Sequence, residues 1–445
     1  MSLLVLHRNR LSARRLAKAL QCEEETTFPE SPPDILLRFG SSQGEEGRLL
    51  TINKRQNILG LRHKNLASLY KLHRLPFGTQ AGDSREITIH IVDGQIIATQ
   101  SAKQFSKYER QRALAAALRA LYLTGLDLGA VKLIVPPRGR VKITKVTSAP
   151  NLTPALAKAY AEAITQYIAK KTTTSLIDES RRSLAILPSG KNFLLGADPE
   201  FMIKNIRTDK LIPASRFFPL QGTVGCDNRR SIGELRPAPK SSPYELTESI
   251  RSLLGKASSK VKSKRFRLLA GSQPFRHFPI GGHIHFGGIG LSFQLMRALD
   301  NYLLIPLFLV EYKSTAIKRR RYYGYLGDIR IKGPGRFEYR SPGSWLVSPK
   351  ITLAALSLAK IVAAYADYLP QDYFSNPEAC RAFYRGDKDF FRPLCQQLRK
   401  DLEKTPLYGE LSSSITPLWE MIDQSQEWVE DIDLRESWLI DQDSQ

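Results

Sequence analysis

His283 and His285 stand two positions apart in Gly281-Gly282-His283-Ile284-His285-Phe286-Gly287. Strand alternation sets both imidazoles on one face, roughly 7 Å apart, and Ile284 and Phe286 on the other. The flanking glycines remove side chains where backbone or ligand must come close. Such a pair can ligate a metal, meet a phosphate, or simply be two hydrogen-bonded histidines.

The same spacing recurs with other ionisable residues. Asp198 and Glu200 occupy it in Gly196-Ala197-Asp198-Pro199-Glu200-Phe201, and Glu234 and Arg236 in Gly233-Glu234-Leu235-Arg236-Pro237. Asp328, Arg330 and Lys332 alternate with Ile329 and Ile331, and Glu338 and Arg340 with Phe337 and Tyr339. An ordinary surface strand also alternates, but its polar positions hold interchangeable Thr, Ser and Lys. These segments predict one antiparallel sheet, apolar on the face covered by helices and charged on the other, where an active site would lie. Paired carboxylates with a histidine suit Mg²⁺ or Mn²⁺. Arginines aimed at the same cleft suit a polyanion, and the combination is what phosphoryl transfer requires. The sequence has no glycine-rich P-loop ending in Lys-Ser/Thr and no Gly-x-Ser-x-Gly elbow. A nucleotide would therefore be held by the sheet, and covalent hydrolase chemistry lacks a motif.

The elements that must carry these residues read as two domains, as expected for 445 residues. Residues 1–172 alternate strand and helix patterns: a buried strand over 34–40, a short helix over 66–75, an alanine-leucine-rich helix over 109–123, and a closing helix over 156–168. Asp93-Gly94 and Pro136-Pro137-Arg138-Gly139 mark two hairpins. Polar, aperiodic residues place a linker at 173–190. Helical periodicity over 242–254, 292–312 and 349–369 lies between the charged strand segments, making 191–375 an α+β domain. Residues 376–445 turn acidic and carry Trp419, Trp428 and Trp438. They are expected to dock as an amphipathic extension, because three exposed tryptophans would be a liability. Lys318-Arg319-Arg320-Arg321 reads as a solvated helix end.

Hydrophobic content of 42% and charged content of 24% fit a soluble globular chain. The apolar stretches at 303–310 and 351–364 read as buried helices, so no membrane partner is expected. The first residues lack a signal-peptide pattern, and Cys22, Cys226, Cys380 and Cys395 show no Cys-x-x-Cys spacing. A reducing, cytoplasmic setting is the expectation. The net charge of +23 favours polyanions or acidic substrates, or gives only a soluble surface. No helix-turn-helix, zinc finger or aromatic-basic motif supports a nucleic acid partner.

The four segments at 196–201, 233–237, 281–287 and Arg336-Phe337-Glu338-Tyr339-Arg340-Ser341-Pro342-Gly343-Ser344-Trp345-Leu346, in this order, resemble the phage-type carboxylate–amine ligases of the glutamine synthetase-like superfamily. The resemblance covers about 191–370. It implies a curved antiparallel sheet with helices on one face and ATP-dependent amide or peptide bond formation through an acyl-phosphate. It also implies ATP and Mg²⁺ (or Mn²⁺) as cofactors, with small-molecule, peptide or protein carboxylates and amines as substrates. By the same resemblance Asp198, Glu200, Glu234, His283 and Glu338 would hold metal. His283, His285 and Arg340 would bind nucleotide, and Arg330, Arg336, Arg340 and Glu234 would act in catalysis, with Asp227 accompanying Glu234. The oligomeric state is not legible. Alternatives are a non-enzymatic scaffold or coat-type protein with a relic site, and a guanidino phosphotransferase, which would use Cys226.

The first half resembles a truncated ATP-grasp module through Leu37-Arg38-Phe39-Gly40, Asn53-Lys54, Lys64-Asn65-Leu66, 85–98, 125–130 and Val146-Thr147-Ser148-Ala149-Pro150. Where that family carries Glu and Asn for Mg²⁺, this chain has Lys145 and Thr147. The segment between Phe77 and Arg85, where the phosphate-binding lysine belongs, is nearly missing. A degenerate scaffold or recognition module is the expectation.

Overall fold

The computed structural model describes residues 1–8, 11–78, 85–180, 192–228 and 230–440. They form two compact units: 1–182 with 291–294, and 183–290 with 295–445.

The first unit holds two four-stranded sheets. Strands β1 (Leu3–His7), β2 (Glu23–Glu25), β3 (Ile35–Phe39) and β4 (Leu50–Ile52) pair in parallel in the order β2-β1-β3-β4. Strands β5 (Glu86–Val92), β6 (Gln95–Gln100), β7 (Leu128–Ile134) and β8 (Lys142–Thr147) pair antiparallel in the order β6-β5-β7-β8. Both expected hairpins form. Asp93 and Gly94 have φ of 43° and 78°, the left-handed pair that matches strand twist in a two-residue turn. The helix Lys107–Leu123 starts at a capping box between Ser106 and Glu109. Leu16, Leu37, Phe39, Tyr160 and Ile164 belong to the unit's main core.

The closing helix runs Pro154–Ser180, well past the expected end at 168 and into the expected linker. Thr172 and Thr173 donate their hydroxyls back to the carbonyls of Ile168 and Ala169. Hydroxyls satisfied this way continue a helix rather than break it. The rest of that linker, 181–190, and residues 79–84 of the shortened segment lie outside the described residues.

The second unit is built on one antiparallel sheet. Its strands are β9 (Leu194–Asn205), β10 (Lys210–Ile212), β11 (Val224–Cys226), β12 (Gly233–Leu235), β13 (Phe266–Leu269), β14 (Gly282–Gly287), β15 (Ile329–Gly333) and β16 (Arg336–Tyr339). The order is β11-β12-β9-β14-β16-β15, with β10 and β13 pairing the far half of β9. Helices Pro243–Lys260 and Pro349–Tyr365 form as periodicity predicts. The apolar run from Phe293 to Val310 is helical with a π-helical middle, Leu299–Leu304. Within it Asp300 accepts Tyr339 Oη (2.7 Å) and Gly327 N (2.8 Å), tying the helix to β16. This run and Pro349–Tyr368 are long and apolar enough for a membrane span, yet are mostly buried in the protein.

The expected boundary at 375 separates no compact unit, because 376–440 belong to the second one. Its helices Pro377–Arg385, Lys388–Glu403 and Pro406–Asp423 bury Trp419, and Trp428 and Trp438 follow them inside. Trp428 N donates to Val310 O (2.7 Å) and Trp438 Nε1 to Leu346 O (2.8 Å). The acidic tail thus docks.

Candidate active site

Strand register decides which side chains meet. β14 lies between β9 and β16, with His283 opposite Asp198 and His285 opposite Glu338. β12 sets Glu234 opposite Glu200, and β15 sets Arg330 opposite Glu338. Because side chains alternate, Asp198, Glu200, Glu234, His283, His285, Arg330 and Glu338 share a face. Ala197, Phe201, Ile284, Phe286, Phe337 and Tyr339 take the other and are buried, with Phe286 and Phe337 stacked at 4.9 Å.

On the charged face His283 Nδ1 lies 3.0 Å from Asp198 Oδ1 and 3.6 Å from Glu338 Oε1. His285 Nε2 lies 3.1 Å from the same Asp198 oxygen, but outside hydrogen-bond geometry, so this buried ring nitrogen has no hydrogen-bond partner. Glu338 is fully buried and gathers three cations: Arg330 Nη1 at 3.3 Å, Lys332 Nζ at 2.5 Å and Arg340 Nε at 3.0 Å. One donor atom each from Asp198, His283 and Glu338 fall within 4.8 Å of one another. Two carboxylates and an imidazole suit Mg²⁺ or Mn²⁺, and the unpartnered His285 nitrogen beside them fits the same reading.

Burial alone would raise the carboxyls here, and the neighbours decide which ones resist it. For Asp198 burial is the largest influence, but His283 and His285 together outweigh it and hold the pKa below the carboxylate range. Glu338 is likewise raised by burial, then brought down to about 2 by His283, Arg340 and Arg330. For Glu200 burial outweighs the pull of His283, and with the charge of Glu234 it pushes the carboxyl up to about 7. Burial and the Asp198 charge raise Glu234 in spite of Arg236. For His283 burial lowers the pKa, yet Asp198, Glu200 and Glu338 more than compensate and the imidazole is raised.

Several residues have different duties from those the sequence suggests. Glu200 and Glu234 share the face but stand outside the three-residue donor group. Glu200 Oε2 accepts Gly281 N (2.6 Å), and Glu234 Oε2 accepts Arg236 Nε (2.9 Å). Arg236 also donates to the carbonyls of Leu220, Gly222 and Cys226, and so clamps a loop. Asp227 Oδ1 accepts the amides of Ser231 and Ile232, which closes a turn. Arg336 is exposed at the outer end of β16, opposite Gly287. Cys226 is buried, with its thiol raised by that burial and directed at Phe218 O (3.6 Å), the reverse of an activated nucleophile.

Nor are Arg319 and Arg320 a solvated helix end. Arg319 donates to the carbonyls of Ile280 (2.7 Å), Ser341 (2.8 Å) and Pro342 (2.7 Å), and Arg320 pairs with buried Glu311. Arg319 thereby joins the entry to β14 to the segment after β16. Sequence reasoning also missed Tyr323, whose hydroxyl is 2.8 Å from His283 Nε2 and whose ring lies under Arg319 and Arg340. No alternation marks it. The available signal is Gly324, at φ 72°, where a Cβ would strike Arg319.

A family model described as phage phiEco32-like COOH-NH2 ligase, type 2, matches residues 195–440. Among curated protein sequences none matches. Similar solved structures include the ATP-grasp ligase PsnB complexed with precursor peptide PsnA2 and AMPPNP, at 9% identity and TM-score 0.29, covering 38% of this chain and 97% of that one. A bifunctional glutathione synthetase from Pasteurella multocida matches at 9% identity and TM-score 0.36, covering 55% and 48%. Macrocyclase MdnB from Microcystis aeruginosa matches at 12% identity and TM-score 0.27, covering 36% and 97%. At such scores the likeness bears on neither substrate nor mechanism.

Proposed function

This chain belongs to the phage phiEco32-like COOH-NH2 ligase family, an ATP-dependent carbon–nitrogen ligase, and from that premise we propose that it joins a carboxylate to an amine through an acyl-phosphate on the charged face of the β9–β14–β16 sheet. The observation that carries this reading is the meeting of Asp198, His283 and Glu338, from three strands, within 4.8 Å. A substrate carboxylate oxygen attacks the γ-phosphorus of ATP and ADP leaves. The amine nitrogen then attacks the acyl carbon, phosphate departs, and a proton is lost from nitrogen.

Arg330, Lys332 and Arg340, oriented by Glu338, face the charge that spreads over the transferred phosphoryl oxygens. Asp198, His283 and Glu338 are the residues that would hold Mg²⁺ or Mn²⁺, which when bound supplies further neutralisation of that charge. Glu234, raised in pKa, accepts the amine's proton. Tyr323 fixes the ring of His283 from its other nitrogen.

The antiparallel sheet with helices against its apolar face supports a glutamine synthetase-like catalytic domain. The first unit is read as a truncated ATP-grasp-like module, with exposed Lys145 where a ligand carboxylate would be needed. The substrates are small-molecule or peptide carboxylates and amines, with acidic ones favoured by the +23 charge. Four cysteines outside any disulfide suit a cytoplasmic setting. Calorimetry with Mg-ATP, followed by phosphate release across amino acid and peptide mixtures, tests the reading. A folded protein that neither binds Mg-ATP nor releases phosphate with any mixture sinks it.

A further inference from the structure

Two long stretches of the first unit carry no acidic residue. Between Glu46 and Asp83 the chain has seven lysines and arginines, and between Asp127 and Glu162 it has six. The fold brings the two stretches together. Ile143 N donates to Pro76 O (2.8 Å) and Gly78 N to Ile143 O (3.0 Å), so residues 76–78 run beside β8. At the tip of the β7–β8 hairpin, Pro137, Arg138, Gly139 and Arg140 are all exposed.

The guanidiniums here are held in place. Arg140 donates to Arg74 O, and Arg112 to Gly139 O and Pro136 O (3.4 Å), which fastens both side chains to the hairpin and its neighbour. These bonds use one donor of Arg140 and two of Arg112, out of five on each. Arg112 Cζ also lies 5.5 Å from the ring centre of Tyr108, which is 68% exposed. On the helix His63–Leu72, Lys64 and Lys71 are exposed on one face, about 10 Å apart along the axis. That helix leads into Arg74. Glu109, next to Tyr108 in the chain, is buried and bound to Arg85.

We propose that this face of the first unit binds single-stranded nucleic acid, with the arginines on phosphates and Tyr108 stacked on a base. Guanidinium forks match phosphate oxygens. Exposed aromatic rings beside a basic track hold single strands with little sequence preference. A membrane is a poorer match, because the hairpin tip has no large apolar side chain to enter it. An acidic polypeptide would meet the charge but offer no base to stack on Tyr108. No linear motif marks the surface, since it exists only where the two stretches meet. The proposal goes beyond the ligase reading, and its test uses no ATP.

Fluorescence anisotropy of a labelled single-stranded oligonucleotide of mixed sequence, about 20 nucleotides long, follows binding to the full chain. Saturable binding is expected, weakening by more than about tenfold between roughly 50 and 200 mM salt as counterions are released. Arg138→Glu with Arg140→Glu should weaken it by about tenfold or more, and Tyr108→Ala by about fivefold or more. Lys256→Glu with Lys260→Glu, exposed on the helix Pro243–Lys260 of the second unit, makes the same change of net charge and should leave binding within about twofold. The proposal is overturned if binding does not saturate, if the second-unit pair weakens it as much as the hairpin pair, or if folded Tyr108→Ala binds unchanged. Tighter binding of polyglutamate or of anionic vesicles than of the oligonucleotide, lost in the hairpin pair, overturns it as well.

Discussion

Both units bury ionisable and amide side chains, but they give them different partners. In the first unit several of the partners are main-chain groups, beside side-chain pairs such as His7 with Glu24 and Glu109 with Arg85. Arg38 donates to the carbonyls of Gln43, Gly44 and Glu45, and Arg119 to His73 O. Asn53 accepts Asp127 N (2.9 Å) and Leu128 N (3.1 Å), while Asp127 Oδ2 accepts Asn53 N (2.7 Å). Such groups hold the path of the chain. On the charged sheet face of the second unit the partners are other titratable side chains from separate strands. Carboxylates there face imidazoles and guanidiniums, and Glu200 is left with a pKa of about 7. Crowding like charges in a buried space costs folding free energy that an architectural role does not require. The contrast separates groups that hold the path of the chain from the face on which we propose that the reaction takes place.

The sharpest way to break this contrast is activity. His283→Ala or Asp198→Asn should lower ATP-dependent phosphate release by about 10²–10³-fold, whereas Lys145→Ala in the first unit should leave it close to the parent. Equal losses at the two places would erase the distinction. Stability should divide the same way, by a smaller margin. Glu338→Ala leaves three cations without their shared anion and should cost about 3–5 kcal/mol. Asn53→Ala should cost about 1–3 kcal/mol for a buried main-chain group left unmatched. Urea unfolding followed by amide exchange in each unit measures both.

A smaller effect concerns pH. Asp93 keeps appreciable surface but is hemmed in by protein, and burial raises it from 3.8 to about 6 against the pull of Lys170 and Lys171. The folded state therefore binds this proton more tightly than the unfolded chain, and stability falls as pH rises across that window. Asn at this position can still accept Phe293 N, which donates at 3.0 Å, and suits φ 43°. Asp93→Asn should flatten the slope of thermal midpoint against pH there, and an unaltered slope would contradict the assignment. The least effect is expected from Arg336→Ala. Its exposure predicts a stability change within about 0.5 kcal/mol and a smaller loss of turnover than Arg340→Ala. The reverse ranking in phosphate release would move the phosphate-binding face outward along β16.

Much of the sheet was legible because a period of two cannot be imitated by a helix. Asp198, His283, Glu338 and their apolar alternates fall where that period puts them. The helix expected over 109–123 forms as Lys107–Leu123, and the Asp93-Gly94 turn was marked by its left-handed dipeptide. Other features were hidden for identifiable reasons. Thr172 and Thr173 look like loop formers until their hydroxyls find carbonyls one turn back. Arg319 and Arg320 look solvated until Ile280, Ser341 and Glu311 surround them. Tyr323 carries no periodic mark at all, since its meaning comes from a histidine 40 residues earlier in the chain.

The order of residues dictated which strands would be two-faced, because alternation and hydrophobic burial act locally. It also dictated which chemical groups would lie on the polar faces. How those groups pair was beyond it. That Glu338 would orient three cations, that His285 would keep an unpartnered nitrogen, and that Arg236 would be drawn off to a loop follow from strand register and from charges many residues apart. Electrostatic partners are chosen by distance in space, and that distance exists only once the sheet has closed.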